Sequence, residues 1–182
     1  MVEDQTFKNL KSLKKDQYEY CDFYNCDFSN LNFFNFSFEE CNFYSCNFSN
    51  ANLNMIAIKS CLFKDSKMMG LKFQDINTFI FQAKFEKCQL DYSSFTGLKC
   101  EGFQFTDYKM HGVDFSGTNL EEAIIANCDL QEALFENTNL KKTDLTYSYN
   151  FSINPQINTI KELKVSREFI EGITDYFGIK VS

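Results

Sequence analysis

The sequence predicts an all-β parallel solenoid with a four-sided cross-section and a short C-terminal α-helix. Three observations carry the prediction. Apolar residues, mostly phenylalanine, recur at every fifth position: Phe23, Phe28, Phe33, Phe38, Phe43, Phe48, Leu53, Ile58, Phe63, Met68 and Phe73. A period of five fits neither the helical period of about 3.6 nor the strand period of about 2, so the chain must turn a corner once per repeat. The residue two places before each centre carries a longer period, running Cys21, Cys26, Leu31, Phe36, then Cys41, Cys46, Ala51, Ile56, then Cys61, Ser66, Leu71. The pattern of two small side chains followed by two larger ones returns with every fourth unit, so four units close one turn and like positions stack. Finally, Gly70, Gly97, Gly102, Gly112 and Gly117 all fall two places after a centre, where a corner calls for positive φ.

In chain order, residues 1–17 are expected to cap the N-terminal end, with Phe7, Leu10 and Leu13 lying outside the repeat frame among lysines. An uncovered end would present unpaired backbone groups. Residues 18–150 form the solenoid, whose frame slips once. Phe73 closes the first phase, and Ile80, Phe85, Leu90, Phe95, Cys100, Phe105, Met110, Phe115, Leu120, Ile125, Leu130, Phe135, Leu140 and Leu145 make the second. Two extra residues therefore fall within Gln74, Asp75, Ile76 and Asn77 (the slip at 74–77). A bulge there keeps Phe23, Phe43, Phe63, Phe85 and Phe105 in one column, as a single solenoid requires. Leu98, Phe103, Tyr108 and Val113 put bulk where small residues are usual, while the centres Cys100 and Met110 give up bulk or rigidity. Exchange of volume at near-constant packing density explains that turn.

After Asn150 the repeat stops, and residues 151–182 read as a capping and dimerisation module. Pro155 fixes the chain direction, and Leu163-Lys164-Val165 restores an inward strand one full turn after Leu145. Ser166 is the expected N-cap of a helix in which Phe169, Ile170, Ile173, Tyr176 and Phe177 fall at helical spacing before Gly178 ends it. Such a stripe either covers the last turn or meets a second copy. Its continuation into Ile179-Lys180-Val181 favours a homodimer through this end, with Phe169, Ile170, Ile173, Tyr176, Phe177 and Ile179 as the interface.

The unit small-polar-Phe/Leu-polar-polar, as in Cys21-Asp22-Phe23-Tyr24-Asn25 and Ala51-Asn52-Leu53-Asn54-Met55, resembles the pentapeptide-repeat family over roughly residues 16–150. The resemblance implies a right-handed quadrilateral parallel β-helix, with the centre and the residue two before it pointing inward. Asn154-Pro155-Gln156-Ile157-Asn158-Thr159-Ile160-Lys161, followed by a strand, a helix and Gly178-Ile179-Lys180-Val181, is similar to the C-terminal module of the Qnr-like, quinolone-resistance branch. So is Phe85-Glu86-Lys87-Cys88-Gln89-Leu90-Asp91-Tyr92-Ser93-Ser94-Phe95. In that branch the C-terminal helix joins two rods into a dimer. Its characterised members bind DNA gyrase or topoisomerase IV and protect them from fluoroquinolones, with likeness to the shape and charge of duplex DNA proposed as the basis. Several of them use long projecting loops, whereas this chain has only two extra interior residues.

Net charge is −7, and the acidic surplus lies in residues 78–150, with 11 acids against 6 bases. Glu101, Glu121 and Glu122 are expected to share a face, and Asp91, Asp107, Glu132 and Glu136 to point outward. These candidates would steer the protein to a basic, DNA-binding surface, although Lys141 and Lys142 follow one turn later on the same face. A single arginine and no basic stripe argue against direct nucleic-acid binding. Tyr24, Phe34 and Tyr44 project outward, either as anchors for a partner or as ladders that reinforce the sheet. Gln74, Asp75, Ile76 and Asn77 are a further candidate contact.

Seven of the eight cysteines occupy the inward small position and Cys100 a centre, which makes cysteine a compact filler and implies no disulfide framework, metal or cofactor. One histidine, His111, expected to face solvent, assembles no catalytic triad, and no phosphate-cradling loop is present, so an enzyme is not expected. Neither a membrane-spanning run nor a signal segment at Met1-Val2-Glu3-Asp4 is found, which points to a cytoplasmic protein. The expectation is a non-catalytic binder of gyrase or topoisomerase IV. A generic interaction scaffold with another partner is the alternative.

Overall fold

The computed structural model describes residues 1–77 and 81–179. Ile80, assigned above as a centre, and Lys180 and Val181 lie outside the described residues. The chain forms two compact units, Met1–Ser93 and Ser94–Ser182, each a parallel β-solenoid.

In the first unit, β1 (Val2–Glu3), β3 (Gln17–Glu19), β5 (Ser37–Glu39) and β7 (Ala57–Lys59) stack into one wall. A second wall is made by β2 (Thr6–Lys8), β4 (Asp22–Tyr24), β6 (Asn42–Tyr44), β8 (Cys61–Lys64) and β9 (Ala83–Glu86). Isolated bridges Asp27↔Asn47 and Asn32↔Asn52 supply the other two sides. Partners such as Phe23↔Phe43 and Phe38↔Ile58 stand four repeats apart, so identical positions lie one above the other. The phenylalanine column follows: Phe23, Phe43 and Phe63 stack with ring centroids 4.8 Å apart, close to the strand spacing itself.

The first turn is shorter than the rest. Val2 pairs with Tyr18 and Phe7 with Phe23, each four places short of a regular turn, so Phe7 lies outside the five-residue frame yet still tops the column at 5.0 Å from Phe23. The register also changes later than the sequence suggests. Met55 N–H reaches Asp75 O, one place further along than Asn50 reaches at Met69 O; Asn77 N–H returns to Ile56 O with the same separation as Asn42 to Cys21, and by Ala83, paired with Cys61, the turn is two places longer than four repeats. Ile76 is therefore no surplus residue. It is buried at 5% exposure in an ordinary inward position, so it cannot serve as the outward contact expected of it. Gln74 and Asn77 are half-buried, and Asp75 is exposed at the end of a 3-10 turn, Phe73–Asp75.

In the second unit, β10 (Gln104–Thr106), β11 (Ile124–Ala126), β12 (Asp144–Leu145) and β13 (Lys164–Val165) form one wall. Bridges running Ser94↔Asp114↔Leu134, Lys99↔Asn119↔Asn139↔Thr159 and Lys109↔Asp129↔Tyr149 form the other three. Leu98, Tyr108 and Val113 are buried together with Cys100 and Met110, as volume exchange requires, while Phe103 is half-buried.

Nearly every corner is left-handed, whatever residue occupies it: Asn25, Asn30, Glu40, Met55 and Lys142 all have φ between 49° and 58°. The inward small position is more than filler. Cys41 Sγ–H reaches Tyr18 O at 3.4 Å and Glu39 O at 3.3 Å. Ser66 and Ser148 occupy the same position, and each also accepts a backbone N–H, from Cys46 at 3.1 Å and Cys128 at 3.0 Å. Thr118, Thr138 and Thr143 donate to Phe95, Phe115 and Leu120 carbonyls at 2.7–2.8 Å. A thiol or hydroxyl here satisfies buried backbone groups between turns. All eight cysteines are free and buried. Burial pushes Cys46 and Cys100 up to about 12, and Cys88 and Cys128 up to about 11, which leaves these thiols protonated and inert.

The C-terminal helical segment is shorter and tighter than expected. A 3-10 turn, Arg167–Phe169, leads into α1 (Glu171–Thr174), and a second turn, Asp175–Phe177, follows. Gly172 and the β-branched Ile170, Ile173 and Thr174 account for so short an α-helix. Ser166 does not cap it, because its hydroxyl accepts Tyr147 N–H at 2.8 Å. Termination at Gly178 follows expectation: φ is 67°, Gly178 N–H bonds to Asp175 O and Ile179 N–H to Thr174 O, the two bonds of a Schellman motif.

Candidate protein-interaction surfaces

In-register stacking decides what the expected acidic face looks like. Glu121 Oε1 bonds to Lys141 Nζ, and Glu122 Oε1 lies 2.7 Å from Lys142 Nζ one turn on. Lys141 holds the Glu121 carboxyl below its usual range, and Glu122 raises Lys142. Asp107, exposed, accepts the Asn127 amide. Glu101, Glu132 and Glu136 are exposed and have no ion-pair partner among the described residues. Asp91 departs from expectation: it is buried at a corner where its carbonyl accepts Gly70 N–H at 2.9 Å. The acidic surplus is thus split between neutralised columns and a few free carboxylates.

Tyr24 and Tyr44 are half-buried and stack on each other at 4.8 Å and 15°, with Lys8 Nζ 5.8 Å from the Tyr24 ring. The two rings stack as a ladder along the wall. Phe34 is exposed, with Lys15 Nζ 5.4 Å from its ring. His111, expected to face solvent alone, is half-buried, with Nε2 2.7 Å from Asp129 Oδ2. Asp129 also accepts the Asn150 amide at 2.8 Å. Burial opposes ionisation of Asp129, but the His111, Asn150 and Gln131 hydrogen bonds together hold its carboxyl below the usual range.

At the C-terminal end, Ile153 N–H bonds to Gly172 O at 2.8 Å, Ser152 Oγ lies 3.0 Å from Tyr176 Oη, and the Tyr149 and Phe169 rings meet at 6.0 Å. A Cβ on Gly172 would collide with the carbonyl and ring of Phe151, so glycine permits this close seat. The docked side leaves Phe169, Ile170 and Ile173 half-buried, while Tyr176, Phe177 and Ile179 remain 45%, 55% and 52% exposed.

One surface escaped the sequence analysis. At the N-terminal end, Val2, Phe7, Leu10, Leu13 and Tyr18 help to line a groove of about 680 Å³. The alternation of apolar residues at 7, 10 and 13 with lysines at 8, 11, 14 and 15 was its signal. Among the described residues no group of three or more His, Cys, Asp or Glu is placed to hold a metal ion, and no helix is long and apolar enough to cross a membrane.

Comparison with known proteins adds to this geometry. Residues 36–114 match the family described as Pentapeptide repeat region, and residues 123–151 match Pentapeptide repeats (8 copies), together more than half of the chain. No curated protein matches the sequence. Among solved structures, a trypsin-treated variant of QnrB1, a plasmid-mediated fluoroquinolone resistance protein, is similar with a TM-score of 0.53 at 18% identity, over 100% of this chain and 99% of that one. Full-length QnrB1 gives 0.40 at 16% identity, over 97% and 99%. HetL, a pentapeptide repeat protein involved in heterocyst differentiation regulation from the cyanobacterium Nostoc, gives 0.48 at 13% identity, over 90% and 84%. At 18% identity the first likeness is one of fold.

Proposed function

Because the chain belongs to the pentapeptide-repeat family, we propose that it is a cytoplasmic, non-catalytic protein-binding solenoid whose partner is DNA gyrase or topoisomerase IV. In this reading 18–150 form the regular solenoid and 151–182 join two copies into a homodimer, while residues 1–17, expected as its cap, add β1 and β2 as one more, shorter turn. The observation that carries the proposal is the fold likeness over the whole chain to a QnrB1 structure, whose protein is a fluoroquinolone resistance protein. Supporting it, residues 94–182 hold 13 acids against 8 bases, which would draw this unit to a basic, DNA-binding surface. A non-catalytic role agrees with cysteines whose thiols burial pushes up, which leaves them poor nucleophiles.

The test is supercoiling by purified gyrase, with and without ciprofloxacin, at micromolar protein. Inhibition alone or rescue from the drug is expected, and the absence of both would remove topoisomerase as the partner. A generic scaffold is then the remaining reading, and the pairing of Glu121 and Glu122 with Lys141 and Lys142 favours it, since it interrupts an acidic stripe. Dimerisation has a separate readout. Light scattering should give twice the 21.3 kDa chain mass, and Phe177→Asp with Ile179→Asp should halve it. A monomeric parent protein would refute the dimer.

A further inference from the structure

The N-terminal end combines three features whose conjunction identifies an occupant. The first is an unpaired backbone edge. β1 is the outermost strand of one wall and β2 of the other, and each pairs on one side only, with β3 and β4. Outer edges of this kind template the addition of another strand. The second is an apolar floor: Phe7, Leu10 and Leu13 are half-buried around the groove. Phe7, the outermost ring of its column, stacks on Phe23 at 5.0 Å and meets Tyr18 edge-on at 6.1 Å. One more apolar side chain, placed about 4.8 Å further out, would continue the column.

The third is charge. Lys8, Lys11, Lys14 and Lys15 are all exposed; Lys14 lines the groove itself, which Glu3 and Asp16 also line. Asp16, next in sequence, is already engaged by the Met1 amino group at 2.9 Å. With four lysines and the Met1 amino group against Glu3, Asp4 and Asp16, residues 1–17 are locally basic in a chain of net charge −7. A second copy of the same end would bring its lysines against these, which repel. A lipid surface suits lysines and apolar residues but leaves the backbone edge without hydrogen-bond partners. An extended polypeptide supplies them.

We propose that the N-terminal end is a docking site for an extended acidic segment of a partner protein, which adds as an outer strand to β1 and β2. It places an apolar side chain over Phe7 and its carboxylates among Lys8, Lys11, Lys14 and Lys15. The site is independent of the C-terminal segment and of any topoisomerase partner.

Display selection against the intact chain, with a random library of peptides about ten residues long, tests this. Enriched sequences should alternate acidic and apolar residues. Their binding, read by fluorescence anisotropy of the synthetic peptides, should weaken at least about tenfold between about 50 and 250 mM salt. Lys11→Glu with Lys14→Glu, checked for an unchanged circular-dichroism melt, should weaken it by roughly tenfold or more. Hydrogen exchange on the parent protein supplies a readout that needs no variant: peptide binding should slow the amides of residues 2–8. No enrichment, enrichment without acidic bias, unchanged affinity in the charge-reversed protein, or protection elsewhere in the chain would each overturn the proposal. So would binding to phosphatidylserine vesicles through the same lysines with no peptide bound.

Discussion

Replacing the sulfur of Cys100 by oxygen should cost the fold about 2 kcal/mol, whereas the same exchange at Cys46 should leave stability within about 1 kcal/mol of the parent. Both side chains are buried, and their surroundings differ. Cys100 is a repeat centre whose thiol has no hydrogen bond among the described residues, and burial alone raises its pKa to about 12. A hydroxyl there would lose its water without gaining an acceptor, a penalty of about 1–3 kcal/mol. Cys46 instead lies 3.5 Å from both Phe23 O and Tyr44 O. One turn on, Ser66 fills the equivalent place, donating to Lys64 O at 2.9 Å and accepting Cys46 N–H at 3.1 Å. Serine at 46 therefore enters a position where this fold already uses serine. Urea denaturation under reducing conditions, followed by far-UV circular dichroism, measures both changes. A Cys100→Ser protein within about 0.5 kcal/mol of the parent, or an equal loss at Cys46, would refute the distinction between the inward small position and the repeat centre.

Ser148 both donates to Ile125 O at 2.6 Å and accepts Cys128 N–H at 3.0 Å, so Ser148→Ala should cost about 2 kcal/mol in urea unfolding. Ser148→Cys should recover most of it. Met55 is 51% exposed with φ 57°, and Met55→Gly should raise stability by roughly 0.5–1 kcal/mol, read as a higher thermal midpoint. Asp129 titrates below its usual 3.8, since its hydrogen bonds to His111, Asn150 and Gln131 outweigh the burial that opposes its ionisation. A depressed folded pKa gives stability that is complete above the unfolded value and lost as pH falls through the folded one. The urea midpoint should therefore fall below pH 3.8, and Asp129→Asn should flatten that fall; an identical slope in the variant would refute it.

The repeat of four units per turn was legible because it is a packing rule: identical positions stack, so phenylalanine meets phenylalanine and small meets small. What escaped were features that break the alphabet rather than the geometry. Ile76 looked surplus because the residue two places on is Thr78, not an apolar centre, yet Ile76 keeps its inward place one turn after Ile56. Phe7 looked extraneous because the first turn falls four places short, and the column tolerates that loss since only its ring must land over Phe23. The hydrogen bonds of the inward small position were hidden by treating cysteine and serine as small filler, when what they share with Thr118, Thr138 and Thr143 is a short side-chain donor. Buried Asp91 and uncapped Ser166 were misplaced because local pattern cannot tell where a neighbouring turn will supply a partner.

Stacking in register also governs where this protein can offer charge to a partner. A side chain on a wall faces its counterpart about 4.8 Å away in the next turn, so like charges repel along a column and opposite charges pair. The sequence takes the second course at Glu39 with Lys59, Lys64 with Glu86, Glu121 with Lys141, Glu122 with Lys142 and Asp144 with Lys164. Each pair is exposed enough to contribute little stability, but each removes a free charge from the wall. Uncompensated charge then survives where a column lacks its complement, as at Glu101, Glu132 and Glu136, or beside the outer strands β1 and β2, as at Lys8, Lys11, Lys14 and Lys15. A partner that selects this chain by charge reads such uncompensated groups, these two sets among them. They have opposite sign, and a single uniformly basic surface could engage only the first of them.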